Sequence, residues 1–514
     1  MTEVLIGKDS TGVACVKITK GAYDPITTSD ERRERFYFSS KWTNQLSTPE
    51  LDECPYVVWG GSSPRYVKSP ASASASTFGL MRIDSDNRFE ESTYYVRGTV
   101  RYPDVRYSMP VFDLLPIWRS NDRYRGRNMR ERTYGASYGP AGVLGGFNGT
   151  GGTGTWSRRM EVSDGGAPVN LDYGIAFSSS AYNSNDQDSG YNHVLIVYNL
   201  PGNNTALDGP ALPSPNPEGK ETVLISSTQC KVAKPGYDVD VATPSQLAFD
   251  ATGRPLNVIA AADIAIPLGA SSFNVGITLP ALTAIDMSCY DASASEIHYP
   301  MKLSDGNSNY GVEYWTDGSL IRFNNTKKAC RARFIVYGYD PLGPSSGAND
   351  VLRQFDEGGE NVTQFLRPGA ASNPRFSDII LDSRRPVIQI LADGYFSVPT
   401  HTGSLAAPTA TTVSYDAAGF FPYVKYMTVH GSGLTEEIRA PRVNRRFQNS
   451  LSDGGLSGDG SYCRYSQTEA TFYTAKGRPR YTFYREAGGG EIVNVMDEKP
   501  MVGIRWFVLG IPLP

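Results

Sequence analysis

Three apolar runs in this chain stop at a proline. "LIVYNLP" closes at Pro201, "FIVYGYDP" at Pro341 and "WFVLGIP" at Pro512. Alternation along each predicted strand puts Leu195 with Val197, Phe334 with Val336, and Trp506 with Val508 on one face. The other face carries Arg333 or Arg505 beside Ile335 or Phe507. A strand apolar on both sides is covered on both sides. This predicts the central strand of a sandwich, or a face covered by another subunit. Proline ends each run because it cannot donate to a sheet ladder.

Other segments carry the same signal. "SFNVGITL", "YGVEYW", "SLIRF" and "RARFIVYGY" are short and rich in β-branched and aromatic residues. "YGVEYWTDGSLIRF" predicts a hairpin with Asp317-Gly318 at its turn, and "YTFYREAGGGEIVNV" has the same strand–glycine–strand form. "LTEEIRAPRVNRRFQNSL" (434–451) is one of the few helix-like stretches, with Pro441 interrupting or starting the helix. The expected fold class is all-β: tandem β-sandwich modules in three related copies, with loop insertions and little helix.

The three copies rest on a recurring opening. "KPGYDVDVATPSQLAFDATGRPLNVI" begins with Lys234, Pro235, Gly236, Tyr237 and Asp238 and reaches Phe249-Asp250. "RPGAASNPRFSDIILDSRRPVIQI" begins with Arg367, Pro368 and Gly369 and reaches Leu381-Asp382. Both continue through Arg-Pro into a β-rich run. A looser copy has Lys20, Gly21 and then Phe38-Ser39-Ser40. With the proline-closed strands as ends, this gives a first β-sandwich module at 1–201 with Arg-rich and Gly-rich insertions. A linker and lead-in strand follow at 202–229, a second module at 230–341, a linker at 342–363 and a third module at 364–514. Both linkers are assigned from stretches rich in Pro, Gly, Asn and Ser.

Composition narrows the function classes. The net charge of −4 gives no global pull toward nucleic acid or acidic membranes. The start of the chain has no basic, apolar leader pattern, and the apolar stretch 258–279 is broken by Asp263 and Pro267. Synthesis in a cytoplasm and no membrane span are expected. The six cysteines are scattered without a CxxC pair, so buried free thiols are expected rather than a disulfide scaffold or zinc site. The 31 tyrosines suit β cores, subunit interfaces or a sugar-stacking face.

Candidate chemistry is sparse. His193, His298, His401 and His430 show no metal or triad spacing. The "GTGGTG" at 149–154 lacks the strand–helix context of a dinucleotide loop. A glycosidase needs only two carboxylates, and Asp317 with Glu313 or Asp238 with Asp240 could be nominated. Turn carboxylates more commonly serve turn geometry. No catalytic, metal or cofactor-binding residue is assigned, and no cofactor is expected. The Arg-rich stretch around Arg123, Tyr124, Arg125, Arg127 and Arg130 suits a protein or receptor contact, since Tyr and Arg anchor interfaces. A nucleic-acid contact is disfavoured by the interspersed acids and the acidic chain.

The base-Pro-Gly-Tyr-Asp-Val turn at 234–239, followed by Leu247 and Phe249, resembles small tail-associated virion proteins of tailed bacteriophages. Arg367-Pro368-Gly369 with Leu381, and Phe38-Ser39-Ser40, extend the likeness. The first copy lacks the Pro and the third lacks the Tyr-Asp. The resemblance implies a structural role in the virion at the tail tip or baseplate, with host attachment, and no enzymatic activity. Implied partners are other virion proteins, further copies of the chain (a trimer), and a host surface polysaccharide or receptor. The alternatives are a head fibre or decoration protein, a carbohydrate-binding adhesin, and a polysaccharide depolymerase.

Overall fold

Backbone pairing in this chain is almost entirely between β-strands. The computed structural model describes residues 3–41, 220–299, 312–339, 351–398, 408–431, 459–475 and 500–513 with short breaks, and strand backbone in parts of the remainder. Its sheets are antiparallel apart from one two-residue parallel pairing.

Three small meanders recur along the chain. The first is made of Glu3–Lys8, Ala14–Thr19 and Phe36–Ser39. Val223–Ile225, Cys230–Ala233 and Leu247–Asp250 make the second. Leu352–Glu357, Glu360–Leu366 and Ile379–Asp382 make the third. Their ladders match rung for rung. Val4–Ile18–Phe38, Val223–Val232–Phe249 and Leu352–Phe365–Leu381 each cross the three strands of their meander. One step later every third strand carries one extra residue: Tyr37, Ala248 or Ile380. A bulge at one fixed place bends each strand alike.

A second element follows each meander. The closing strands Asn192–Asn199, Cys330–Tyr339 and Met501–Pro512 each lie in the middle of a three-stranded arrangement. Their flanks are Ser47–Pro55 and Val111–Pro116, then Asn257–Ile266 and Leu282–Tyr290, then Gln389–Ser397 and Phe420–His430. Here too a bulge recurs at one rung, always on the first flanking strand. It falls beyond the pairs Val197–Glu50, Val336–Ala260 and Val508–Ala392. In the second and third units the bulged Ile259 and Leu391 fold over Gly338 and Gly510. A Cβ on these glycines would lie 2.4 Å from Ile259 and 2.9 Å from Leu391. Glycine is required there for close approach.

In the second and third units the inner sheet backs onto an outer one. In the second unit, Ile285, Met287, Phe334 and Val336 pack on Val312, Tyr314, Ile321 and Phe323 from the outer strands Val312–Asp317 and Leu320–Asn325. In the third, Val424, Tyr426, Trp506 and Val508 pack on Cys463, Tyr465 and Phe472. Two facing antiparallel sheets with interdigitated side chains form a sandwich. The outer sheets cross between units. Asn128–Gly135 pairs with Val312–Asp317, and Ile297–Tyr299 pairs with Gly460–Tyr465.

Several sequence expectations need correction. The stretch 434–451 holds strands at Glu437–Arg439 and Asn444–Phe447. Ile438 is buried between Phe420–His430 and Thr93–Arg97, so tertiary pairing overrides the local helix signal. The linker read at 342–363 contains Leu352–Glu357 and the start of Glu360–Leu366, because its apolar Val351 and Leu352 join a core. The hairpin loop at 317–320 is Gly318-Ser319, one residue beyond the expected position, with Asp317 paired to Leu320.

Candidate functional site: a shared core and its polar anchors

The three meanders meet in one apolar cluster. It contains Val16, Ile18 and Phe38, then Cys230, Val232 and Ala248, then Val351, Phe365 and Ile380. The matching rung of every meander is present, so one core is built three times over by residues distant in sequence. The turn after each middle strand is also shared. Tyr237 N–H donates to Lys234 O at 3.1 Å, and Ala370 N–H donates to Arg367 O at 3.1 Å. Gly236 and Gly369 occupy the third turn position with φ of 86° and 83°. This is a type II turn, which needs φ > 0 there. In the first meander Tyr23 N–H reaches Lys20 O at 3.3 Å, but Gly21 takes the second position with φ 57°. The absent proline and the moved glycine have one cause, a different turn type.

Two contacts between units use corresponding turns. The short 3-10 turn Arg33–Arg35 of the first unit meets the third: Arg33 Nη1 donates to Ile390 O at 3.2 Å, and Gln389 Nε2 donates to Arg33 O at 3.3 Å. The corresponding turn Phe376–Asp378 of the third meets the second, where Phe376 lies 2.9 Å from the position of a Cβ on Gly338. Strands Leu282–Tyr290 and Phe420–His430 both lie against Val111–Pro116, and also touch one another through side chains. The units are therefore grouped about a common axis.

Buried charges anchor this arrangement. In the first meander Lys17 and Lys41 each bridge Asp9 and Asp30, at 2.5–2.8 Å. Burial alone would raise the Asp9 carboxyl, but hydrogen bonds from Lys17 and Lys41 outweigh it and hold the group well below the usual carboxylate range. In the third meander Asp382 is likewise buried, and bonds from Arg384 and Gln364 hold its pKa down. Gln364 and Arg384 stand where Lys17 and Lys41 stand in the first. The match is fixed by Ser40 and Ser383, whose hydroxyls accept from Val16 N–H and Thr363 N–H, both at 2.9 Å.

Between the second and third units the anchors change partner. Arg333 Nε donates to Asp263 Oδ2 at 2.6 Å, while its Nη1 reaches across to Pro422 O at 2.5 Å. Tyr290 donates to both Asp263 oxygens, and burial followed by that carboxylate pushes its pKa up. Nearby, Lys425 Nζ lies 2.5 Å from Asp286 Oδ2, and Tyr423 Oη donates to Asp286 Oδ1 at 2.8 Å.

The residues singled out from sequence fall into three groups. Phe38, Phe249 and Leu381 share one rung, and Lys20, Lys234 and Arg367 share one turn position. Burial pushes the Lys234 ammonium down to about 8. Pro235 and the stretch Arg123–Arg127 lie outside the described residues, and Arg130 is placed only as backbone on Asn128–Gly135, opposite Glu161. Of the nominated carboxylates, Asp317 and Asp238 make local contacts. Asp317 accepts from Arg322 Nε at 2.9 Å, and Asp238 Oδ1 accepts from Asp240 N–H at 3.1 Å. His430 is buried against Thr428 Oγ1 at 3.0 Å. Among the described residues, Cys15, Cys230, Cys289, Cys330 and Cys463 are buried thiols outside any disulfide.

Sequence reasoning placed a lead-in strand before the second copy but missed the opening strands of the first and third, although the signal of the first is plain. Val4-Leu5-Ile6 and Val223-Leu224-Ile225 are the same tripeptide at the same register. Among the described residues, no group of three or more His, Cys, Asp or Glu side chains could hold a metal ion, and no helix is long and apolar enough to cross a membrane. Comparison with protein-family models, curated proteins and solved structures finds no match to this chain.

Proposed function

We propose that this chain is a structural component of a bacteriophage virion, placed at the tail tip or baseplate, where it contributes to particle assembly and host attachment. The observation that carries the reading is the shared meander core. Equivalent rungs from three stretches of one chain enclose a single apolar cluster. Such a block is rigid and offers repeated loops and edges to neighbouring proteins. The buried ion networks favour the same reading, since each fixes one geometry rather than presenting reactive groups. The resemblance of the Lys234–Val239 turn to tail-associated proteins supplies the location.

The reading makes a direct demand. Mass spectrometry of purified virions from the genome carrying this chain should find it as a stoichiometric component. Antibody labelling in electron micrographs should mark the tail end. Absence from the particle overturns the reading, and label on the head would move the protein to a fibre or decoration role.

A further inference from the structure

Asp286 and Lys425 occupy the same place in two different units. Asp286 is opposite Ile335 on the second closing strand, and Lys425 is opposite Phe507 on the third. Ile335 and Phe507 both directly precede the valine, Val336 or Val508, next to the shared bulge. The equivalent rung of the first unit pairs Ile196 with Asp113. Acid and base therefore differ at a position where the backbone is repeated. The two side chains are 0% and 2% exposed and meet at 2.5 Å. Ser288 and Tyr423 meet beside them at 3.4 Å.

Two apolar faces at this seam could pair in any combination, because dispersion and burial carry little directional information. A buried ion pair cannot. Second-to-second contact between two chains would set Asp286 against Asp286. Third-to-third contact would set Lys425 against Lys425. Each leaves like charges in a dry interface, the arrangement that buried charges penalise most.

We infer that the Asp286–Lys425 pair, with Tyr423, is a specificity lock that makes the second unit pair with a third unit rather than with another second unit, and the third with a second rather than with another third. Its contribution is to the choice of neighbour. An apolar replacement of matching volume would serve stability as well, since buried ion pairs are commonly no better than well-packed hydrophobic substitutes.

The test uses the full chain. Asp286→Lys and Lys425→Asp should each lower the denaturation midpoint, because each creates a buried like-charge contact. The double variant carrying both changes should recover most of that loss. A double variant as damaged as the singles, or singles indistinguishable from wild type, overturns the lock. A triple variant, Asp286→Leu with Tyr423→Phe and Lys425→Met, separates specificity from stability. Refolded at high concentration and measured by light scattering, it should keep its midpoint yet give a mixture of masses where wild type gives one. A single wild-type mass from the folded triple variant also overturns the lock. If that variant does not fold, the charge-swapped pair decides alone.

Discussion

The meander core and the seam between the second and third units solve the same problem with opposite chemistry. Both join segments distant in sequence around a common axis. The meander core does it with equivalent apolar residues, Ile18, Val232 and Phe365, on one rung. The seam does it with polar ones, Asp286 against Lys425 of opposite charge at one repeated position, and Arg333 against Pro422 O. An apolar rung can be repeated without conflict, because any three such side chains attract one another. Like charges set against one another at a shared seam repel, so a charged contact there needs unlike partners. Repetition thus sets the shape of the block, and departures from repetition set which neighbour each unit takes.

The comparison can be broken at several points. Arg333→Met should be the most damaging change, costing about 3–5 kcal/mol of unfolding free energy, because it strips a buried partner from Asp263 and leaves Pro422 O without its donor. Phe365→Ala should cost a similar ~3–5 kcal/mol, while Val232→Ala on the same rung should cost less, as fewer atoms are removed. Gly338→Ala should cost about 1–3 kcal/mol by overpacking, since its Cβ would meet Ile259, Pro280 and Phe376. All four can be read from denaturant titrations.

Acid sharpens the contrast between the anchors. The folded Asp9 and Asp382 carboxyls lie below their ordinary values. Their stabilisation is therefore complete above the unfolded carboxylate pKa, about 4, and is lost as pH falls through the lowered folded values. Stability measured against pH should fall on the acid side, and Asp9→Asn should make that fall shallower. The smallest effect belongs to Asp317→Asn. This removes an exposed bridge to Arg322, is worth no more than about 1 kcal/mol, and should leave the hairpin intact by circular dichroism.

Much of this was legible from sequence where the physics is local. The Lys234 and Arg367 turns could be read because a Pro-Gly pair fixes backbone angles within four residues. The closing strands could be read because their two apolar faces and terminal proline lie in one short run. The bulges at Tyr37, Ala248 and Ile380 could not, since register depends on the partner strand. Asp286 and Lys425 look like ordinary surface charges in sequence, and only the pairing of Leu282–Tyr290 with its neighbours buries one against the other. The helix expected at 434–451 failed because Ile438 is recruited into a sheet.

The central claim is that three separated meanders form one core. Hydrogen exchange on wild type and Phe365→Ala tests it most directly. Opening of a shared core should be cooperative. The substitution should then speed amide exchange in Ala14–Thr19 and Cys230–Ala233 as well as in Glu360–Leu366. Faster exchange confined to residues 351–382 would contradict the account.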